Sequence, residues 1–246
     1  MLLFDGLLYL DVQKTGSTFV TAFLQACYRK PQIHYHQHAR LRRALAPGTL
    51  GVISVREPLA QYRSLFRYGL DGKGGLYHRL KDQDLDEVYQ PTQEGFETFV
   101  EILLAPESAR LLHDSFGPVA RKFGIGLMTY RHLLLAMKWP LATLKKLPRD
   151  QLHSAYPDLR IWRESLRQEH LTDDLRDLAA RHPDLFDATA VEAFLAPRPK
   201  INPSARGAEL STDLSKPLMA RLLERESLVY KTFYPEALAA HRARIG

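Results

Sequence analysis

Residues 7–26, LLYLDVQKTGSTFVTAFLQA, constrain the fold more than any other stretch of the chain. Leu7, Leu8, Leu10 and Val12 make a short apolar run, interrupted by Tyr9 and Asp11. Its length suits a strand buried in a parallel sheet and is too short to cross a membrane. Gln13, Lys14, Thr15, Gly16, Ser17 and Thr18 follow, after which Phe19, Val20, Phe23, Leu24 and Cys27 recur at the spacing of one helical face. A strand therefore passes into a helix through a small polar turn, and that turn suits a phosphate. Gly16 lets the backbone bend and approach an anion, the N–H groups that open the helix point at it, and Lys14 adds a mobile positive charge. The hydroxyls of Thr15, Ser17 and Thr18 are further donors. Ser17 or Thr18 alone would be an ordinary N-cap; Lys14 and Gly16 together favour an anion site.

The spacing is not that of a nucleoside triphosphatase loop, G-x-x-x-x-G-K-[ST], because Lys14 precedes the only glycine of the turn. A second stretch, GVISVREPLAQYRSLFRYGL, has a comparable layout: Val52, Ile53 and Val55 form a strand with Arg56 at its end. Pro58 suits the first turn of a helix, Leu59, Tyr62, Leu65 and Phe66 mark its buried face, and Gly69 its end. Arg56 offers a bidentate fork and Ser64, eight positions on, one more donor, which fits a terminal phosphate.

K-T-G-S-T after a buried strand resembles the 5′-phosphosulfate loop (13–18) of sulfotransferases that use 3′-phosphoadenosine 5′-phosphosulfate (PAPS). The strand-R-[DEN]-P-helix-S pattern (52–68) resembles the 3′-phosphate element of the same family. The resemblance runs along residues 1–246 as one sulfotransferase domain. It implies an α/β fold with a central, mostly parallel sheet flanked by helices, like that of the P-loop NTPases.

Composition agrees with a single globular domain: 246 residues, 45% hydrophobic and 25% charged. The net charge of +6 calls for an anionic partner without distinguishing a phosphorylated nucleotide from nucleic acid or an anionic glycan. The single cysteine, Cys27, has no internal disulfide partner and reads as a small buried hydrophobe. MLLFDGLLYL lacks a basic region and is broken by Asp5 and Gly6, which makes it a poor signal peptide, and no apolar run reaches membrane-spanning length. A cytoplasmic protein without a membrane span is expected.

In QIHYHQHARLRRAL, His34, His36 and His38 alternate with Ile33, Tyr35 and Gln37, so a strand here would put all three histidines on one face. A solvated edge, a zinc site and a catalytic base are the three readings. Metal-ligand spacing elsewhere in the chain gives zinc no support, and no metal is expected. The segment follows the first strand–helix unit, so its end falls at the sheet edge of Gly16, where open α/β folds bind ligands. H-x-H at this position resembles the catalytic segment of the uronyl 2-O-sulfotransferase branch. By that match His38, or else His36, is the base.

Arg40, Arg42 and Arg43 read as a solvated basic helix or turn ending at Pro47-Gly48, and residues 69–95 as a glycine-rich irregular loop covering the acceptor site. Phe96, Phe99, Val100, Leu103 and Leu104 mark a helix; 124–130 and 159–164 read as strands, 172–182 and 187–195 as helices, and 215–236 as one closing amphipathic helix. W-R-E-S-L resembles a structural R-x-E-x-L run of the family. K-I-N-P-S-A-R resembles its late N-x-S segment, which implies that Lys200, Asn202, Ser204 and Arg206 touch PAPS; a surface linker is the equal alternative.

Taken together the resemblance implies transfer of a sulfonate from PAPS to a hydroxyl, most simply of a glycan, leaving 3′,5′-ADP. Lys14 and the turn would stabilise charge on the leaving oxygen, and Arg56 and Ser64 would bind the 3′-phosphate. The alternatives are a small-molecule kinase and a non-catalytic nucleic-acid or polyanion binder. Missing Walker spacing argues against the first and the lack of any nucleic-acid motif against the second, so no nucleic-acid partner is expected.

Overall fold

The computed structural model describes residues 1–42, 44–105, 107–108, 112, 115–196 and 213–246. In chain order its elements are β1 (Leu2–Phe4), β2 (Leu7–Leu10), α1 (Ser17–Cys27), β3 (Gln32–Tyr35), β4 (Leu50–Val55), α2 (Pro58–Leu70), α3 (Gly75–Lys81) and α4 (Gln93–Leu104). There follow α5 (Phe116–Phe123), α6 (Leu127–Ala136), α7 (Pro140–Lys146), α8 (Leu152–Leu159), β5 (Glu164–Arg167), α9 (Leu171–Arg181) and α10 (Ala188–Leu195). The chain closes with α11 (Lys216–Arg225), α12 (Ser227–Phe233) and α13 (Pro235–Ile245).

The chain divides into two compact units. The first takes in Met1–Arg56, Leu133–Thr143 and the described residues from Tyr156 to Ala196; the second takes in Glu57–His132, Leu144–Ala155 and those from Asp213 to Gly246.

The first unit holds a five-stranded sheet in the order β3-β1-β2-β4-β5. β2, β4 and β5 pair in parallel, while β1 runs antiparallel to both of its neighbours, so β1 alone opposes the other four. This is a mixed, mostly parallel sheet in an α/β fold. Both of its faces are covered, which is why the apolar residues of β2 and β4 run on rather than alternate. Leu7, Tyr9 and Val52 pack on one face with Val20, Phe23 and Leu24 of α1 and with Leu175, Leu178, Val191 and Leu195 of α9 and α10. Leu8, Leu10 and Ile53 of the same strands are also fully buried. Phe23 meets Phe186 and Phe194 edge-on or tilted, and Cys27 lies in the same core, where burial pushes its thiol up to about 11. The helices expected at 172–182 and 187–195 correspond to α9 and α10.

At Gly51 of β4 the approach of backbone to backbone forbids any side chain: a Cβ there would sit 2.2 Å from the Ile161 carbonyl oxygen and 2.8 Å from the Trp162 Cα. Gly51→Ala is expected to destabilise the protein by about 1–3 kcal/mol, since main chain must move to admit the methyl. An unchanged thermal midpoint would contradict that packing.

Segments 124–130 and 159–164 differ from the sequence reading. The first is not a strand, and its residues 127–130 open α6: buried Glu226, distant in sequence, accepts the N–H groups of Met128 (3.2 Å) and Thr129 (2.7 Å) and so caps that helix. Tyr62 donates to the same carboxylate. Strand β5 begins only at Glu164, paired to Val52. The residues before it are held otherwise, with Trp162 donating to the Tyr156 hydroxyl and lying under the Arg160 guanidinium.

In the second unit the 69–95 stretch is not one irregular loop. It contains α3, a single 3-10 turn at Asp86–Val88 and the start of α4, and it is tied down by Tyr89, whose ring lies where a Cβ of Gly69 would be. Gly69 falls inside α2, one residue before its end. The closing segment is three helices rather than one, parted at Glu226 and at Tyr234. Residues 39–42 and 44–49 form no helix; Gly48, at φ 78°, and the Thr49 hydroxyl bonded to the Ala46 carbonyl make a turn there. Among the described residues no helix is long and apolar enough to cross a membrane.

Candidate functional site

The site lies at the carboxyl edge of β2 and β4 in the first unit. Gly16, at φ 79°, is the N-cap of α1, and no side chain caps that helix. A Cβ on Gly16 would also meet Leu171 Cδ2 at 2.8 Å, so conformation and space both require glycine. Lys14 is half-buried at φ 64°, a left-handed conformation that costs a non-glycine residue roughly 1–3 kcal/mol.

A relay of hydroxyls pins the turn to β4. Tyr9 donates to the Ser54 hydroxyl (2.8 Å), Ser54 and Thr15 are 2.6 Å apart, and Thr15 donates to the Val12 carbonyl (2.7 Å). Each hydroxyl has one proton, which assigns the order Tyr9 to Ser54 to Thr15 to Val12. Burial holds the Tyr9 phenol far above its ordinary range, so it remains a donor. The Thr15 side chain is thus fully buried and structural, and what it offers a ligand is its backbone. Ser17 is half-buried and Thr18 exposed at the helix start.

Arg56, just past the end of β4, donates from Nη1 to the Lys14 carbonyl (3.3 Å). The second strand's arginine therefore rests on the first strand's turn. Ser64 stands half-buried on α2, in the second unit. Glu57 is the N-cap of α2: Oε2 accepts the Ala60 N–H at 2.6 Å, and Oε1 accepts the Tyr230 hydroxyl and lies 3.3 Å from His241 Nε2. Burial alone would raise its pKa, yet the bonds from His241, Tyr230 and Ala60 outweigh that and lower it. It serves the helix start.

The three histidines do not share a strand face. β3 covers only Gln32–Tyr35 and is exposed throughout, with His34 on it. Beyond it the chain turns, Ala39 N–H to His36 O, with His38 at φ 54°. The cause is Asp11, buried to 1%, whose Oδ2 takes the His38 N–H at 2.9 Å. The Asp11 carbonyl lies 2.6 Å from His38 Nδ1. A carbonyl only accepts, so Nδ1 carries a proton, and in the neutral ring the lone pair is on Nε2. His38 is 26% exposed on its side chain, whereas His36 is exposed. β3 runs in the direction of β2, so its end falls at the edge that carries Gly16.

Lys14, Gly16, Arg56 and His38 are thus brought to one edge by bonds to Asp11 and to Lys14. Lys200, Asn202, Ser204 and Arg206 lie outside the described residues. Sequence reading passed over Asp11 and Ser54. The available signal for Asp11 was an acidic residue at the exit of an otherwise apolar strand. Among the described residues no group of three or more His, Cys, Asp or Glu side chains is arranged to hold a metal ion. Compared with models of protein families, with curated proteins and with solved structures, the chain matches none.

Proposed function

We propose that this protein is a PAPS-dependent sulfotransferase with a P-loop-like sulfotransferase fold, acting on a hydroxyl of a carbohydrate. One observation carries the reading. Two residues singled out in sequence for different tasks, Arg56 for the donor's phosphate and His38 for the acceptor's proton, are bonded to the same strand-to-helix connection, at Lys14 O and at Asp11. A second supports it: of the four non-glycine residues with positive φ among the described residues, Lys14, His38, Asp84 and Trp139, two are the residues assigned to catalysis. Backbone strain of this kind gathers at functional sites.

In this scheme the N–H groups that open α1 and the Lys14 ammonium face the 5′-phosphosulfate, and Arg56 takes the 3′-phosphate as a bidentate fork. His38 Nε2 accepts the proton of the acceptor hydroxyl as its oxygen bonds to sulfur and the bond from sulfur to the phosphate oxygen breaks. Lys14 meets the charge left on that oxygen. The products are the sulfate ester and 3′,5′-ADP, with the proton on His38.

The test is transfer of labelled sulfonate from PAPS to a panel of neutral and acidic glycans, with 3′,5′-ADP formed one for one. Turnover of ATP with magnesium and no transfer from PAPS would replace this reading with the kinase.

A further inference from the structure

We infer that Asp11 is a positioning residue for His38, holding the imidazole in one tautomer and facing the positive charge that the ring acquires. The inference rests on the sulfotransferase reading for its chemistry, but its geometry stands apart from it. Asp11 meets His38 three times. Its Oδ2 accepts the His38 backbone N–H at 2.9 Å, its carbonyl accepts Nδ1–H at 2.6 Å, and Oδ2 lies 3.7 Å from that same ring nitrogen. The first contact holds a histidine backbone at φ 54°, which few residues adopt unaided. The second fixes the proton on Nδ1 and leaves Nε2 as the acceptor. The third sets a buried carboxylate beside the ring, so that a proton arriving at Nε2 makes an imidazolium already opposite a negative charge. A carboxylate behind a histidine base performs these same tasks in hydrolytic triads.

The other carboxylate oxygen, Oδ1, is ion-paired with the Met1 amino group. Asp11 follows directly on β2, at the exit of an otherwise apolar strand. Burying a carboxylate costs stability unless donors surround it, and one of its two donors is the His38 N–H.

The experiment compares the wild-type protein with Asp11→Asn, Asp11→Ala, His38→Ala and the double variant Asp11→Asn/His38→Ala, each checked by thermal melting. Sulfonate transfer from PAPS and affinity for 3′,5′-ADP are measured for all. A fall in kcat of about 10–100-fold in Asp11→Asn is expected, the range in which partners of a functional histidine act, with 3′,5′-ADP affinity retained. In the His38→Ala background Asp11→Asn is expected to add nothing, because its effect passes through the ring. An equal further loss in that background, or wild-type kcat in Asp11→Asn, overturns the inference.

Nitrogen NMR of the His38 ring supplies a readout independent of activity. The wild type is expected to be the Nδ1–H tautomer; Asp11→Ala keeps the carbonyl but loses the Oδ2 anchor of the His38 N–H, so the ring is expected to leave that carbonyl and mix the two tautomers. If transfer from PAPS is absent while the ring behaves so, the sulfotransferase reading fails and the positioning role stands; a mixed tautomer in the wild type overturns the positioning role.

Discussion

His38→Ala is expected to lower kcat by about 10²–10⁴-fold, the range that a positioned general base contributes, and to leave 3′,5′-ADP binding intact. Nδ1 is occupied by the Asp11 carbonyl at 2.6 Å, so the ring's only available lone pair is on Nε2. The side chain is 26% exposed, enough for an acceptor to reach it and little enough to keep its orientation. His36 has no such anchor: its backbone continues the pairing with Met1, and its side chain is in solvent. His36→Ala is accordingly a control with a small effect. Full activity in His38→Ala would move the base to His36 or His34.

Lys14→Ala is expected to cost about 10²–10³-fold in kcat, as removal of one donor from a charge-stabilising site does. Lys14 sits between strand and helix at φ 64°, and its carbonyl is held by Arg56, so its backbone is fixed at the turn. Charge builds on the leaving oxygen only as the bond to sulfur breaks, so the loss falls on kcat more than on the KM for PAPS. A variant with raised KM and normal kcat would make Lys14 a binding residue instead. The hydroxyl of Thr15 gives a contrast. It belongs to the relay from Tyr9 through Ser54 to Val12, and its removal acts through the shape of the turn.

Local chemistry made much of this legible before any coordinates. β2, the turn, α1, β4 and α2 follow from runs of apolar residues at strand and helix periods and from the special conformations open to Gly16 and Pro58. What failed was decided by residues far away in sequence. GIGLMTY has the apolar content of a strand, but the Glu226 carboxylate supplies the cap that starts a helix there. The alternation of histidines suggested a single face, but Asp11 turns the chain at His38 and takes it off the strand. Residues 69–95 are rich in glycine, yet Tyr89 against Gly69 and two short helical segments order them. Period and composition report how a segment meets its own neighbours; they carry no information on a buried carboxylate a hundred residues on.

The central claim is that the edge defined by Lys14, Gly16 and Arg56 binds a nucleotide phosphorylated at both 3′ and 5′ positions. The most direct measurement is calorimetric titration with 3′,5′-ADP, beside 5′-AMP and ATP with magnesium, on the wild type and on Arg56→Ala. The account predicts binding that requires the 3′-phosphate and is lost in Arg56→Ala. Equal affinity for 3′,5′-ADP and 5′-AMP, or binding of ATP with magnesium in preference to both, would contradict it.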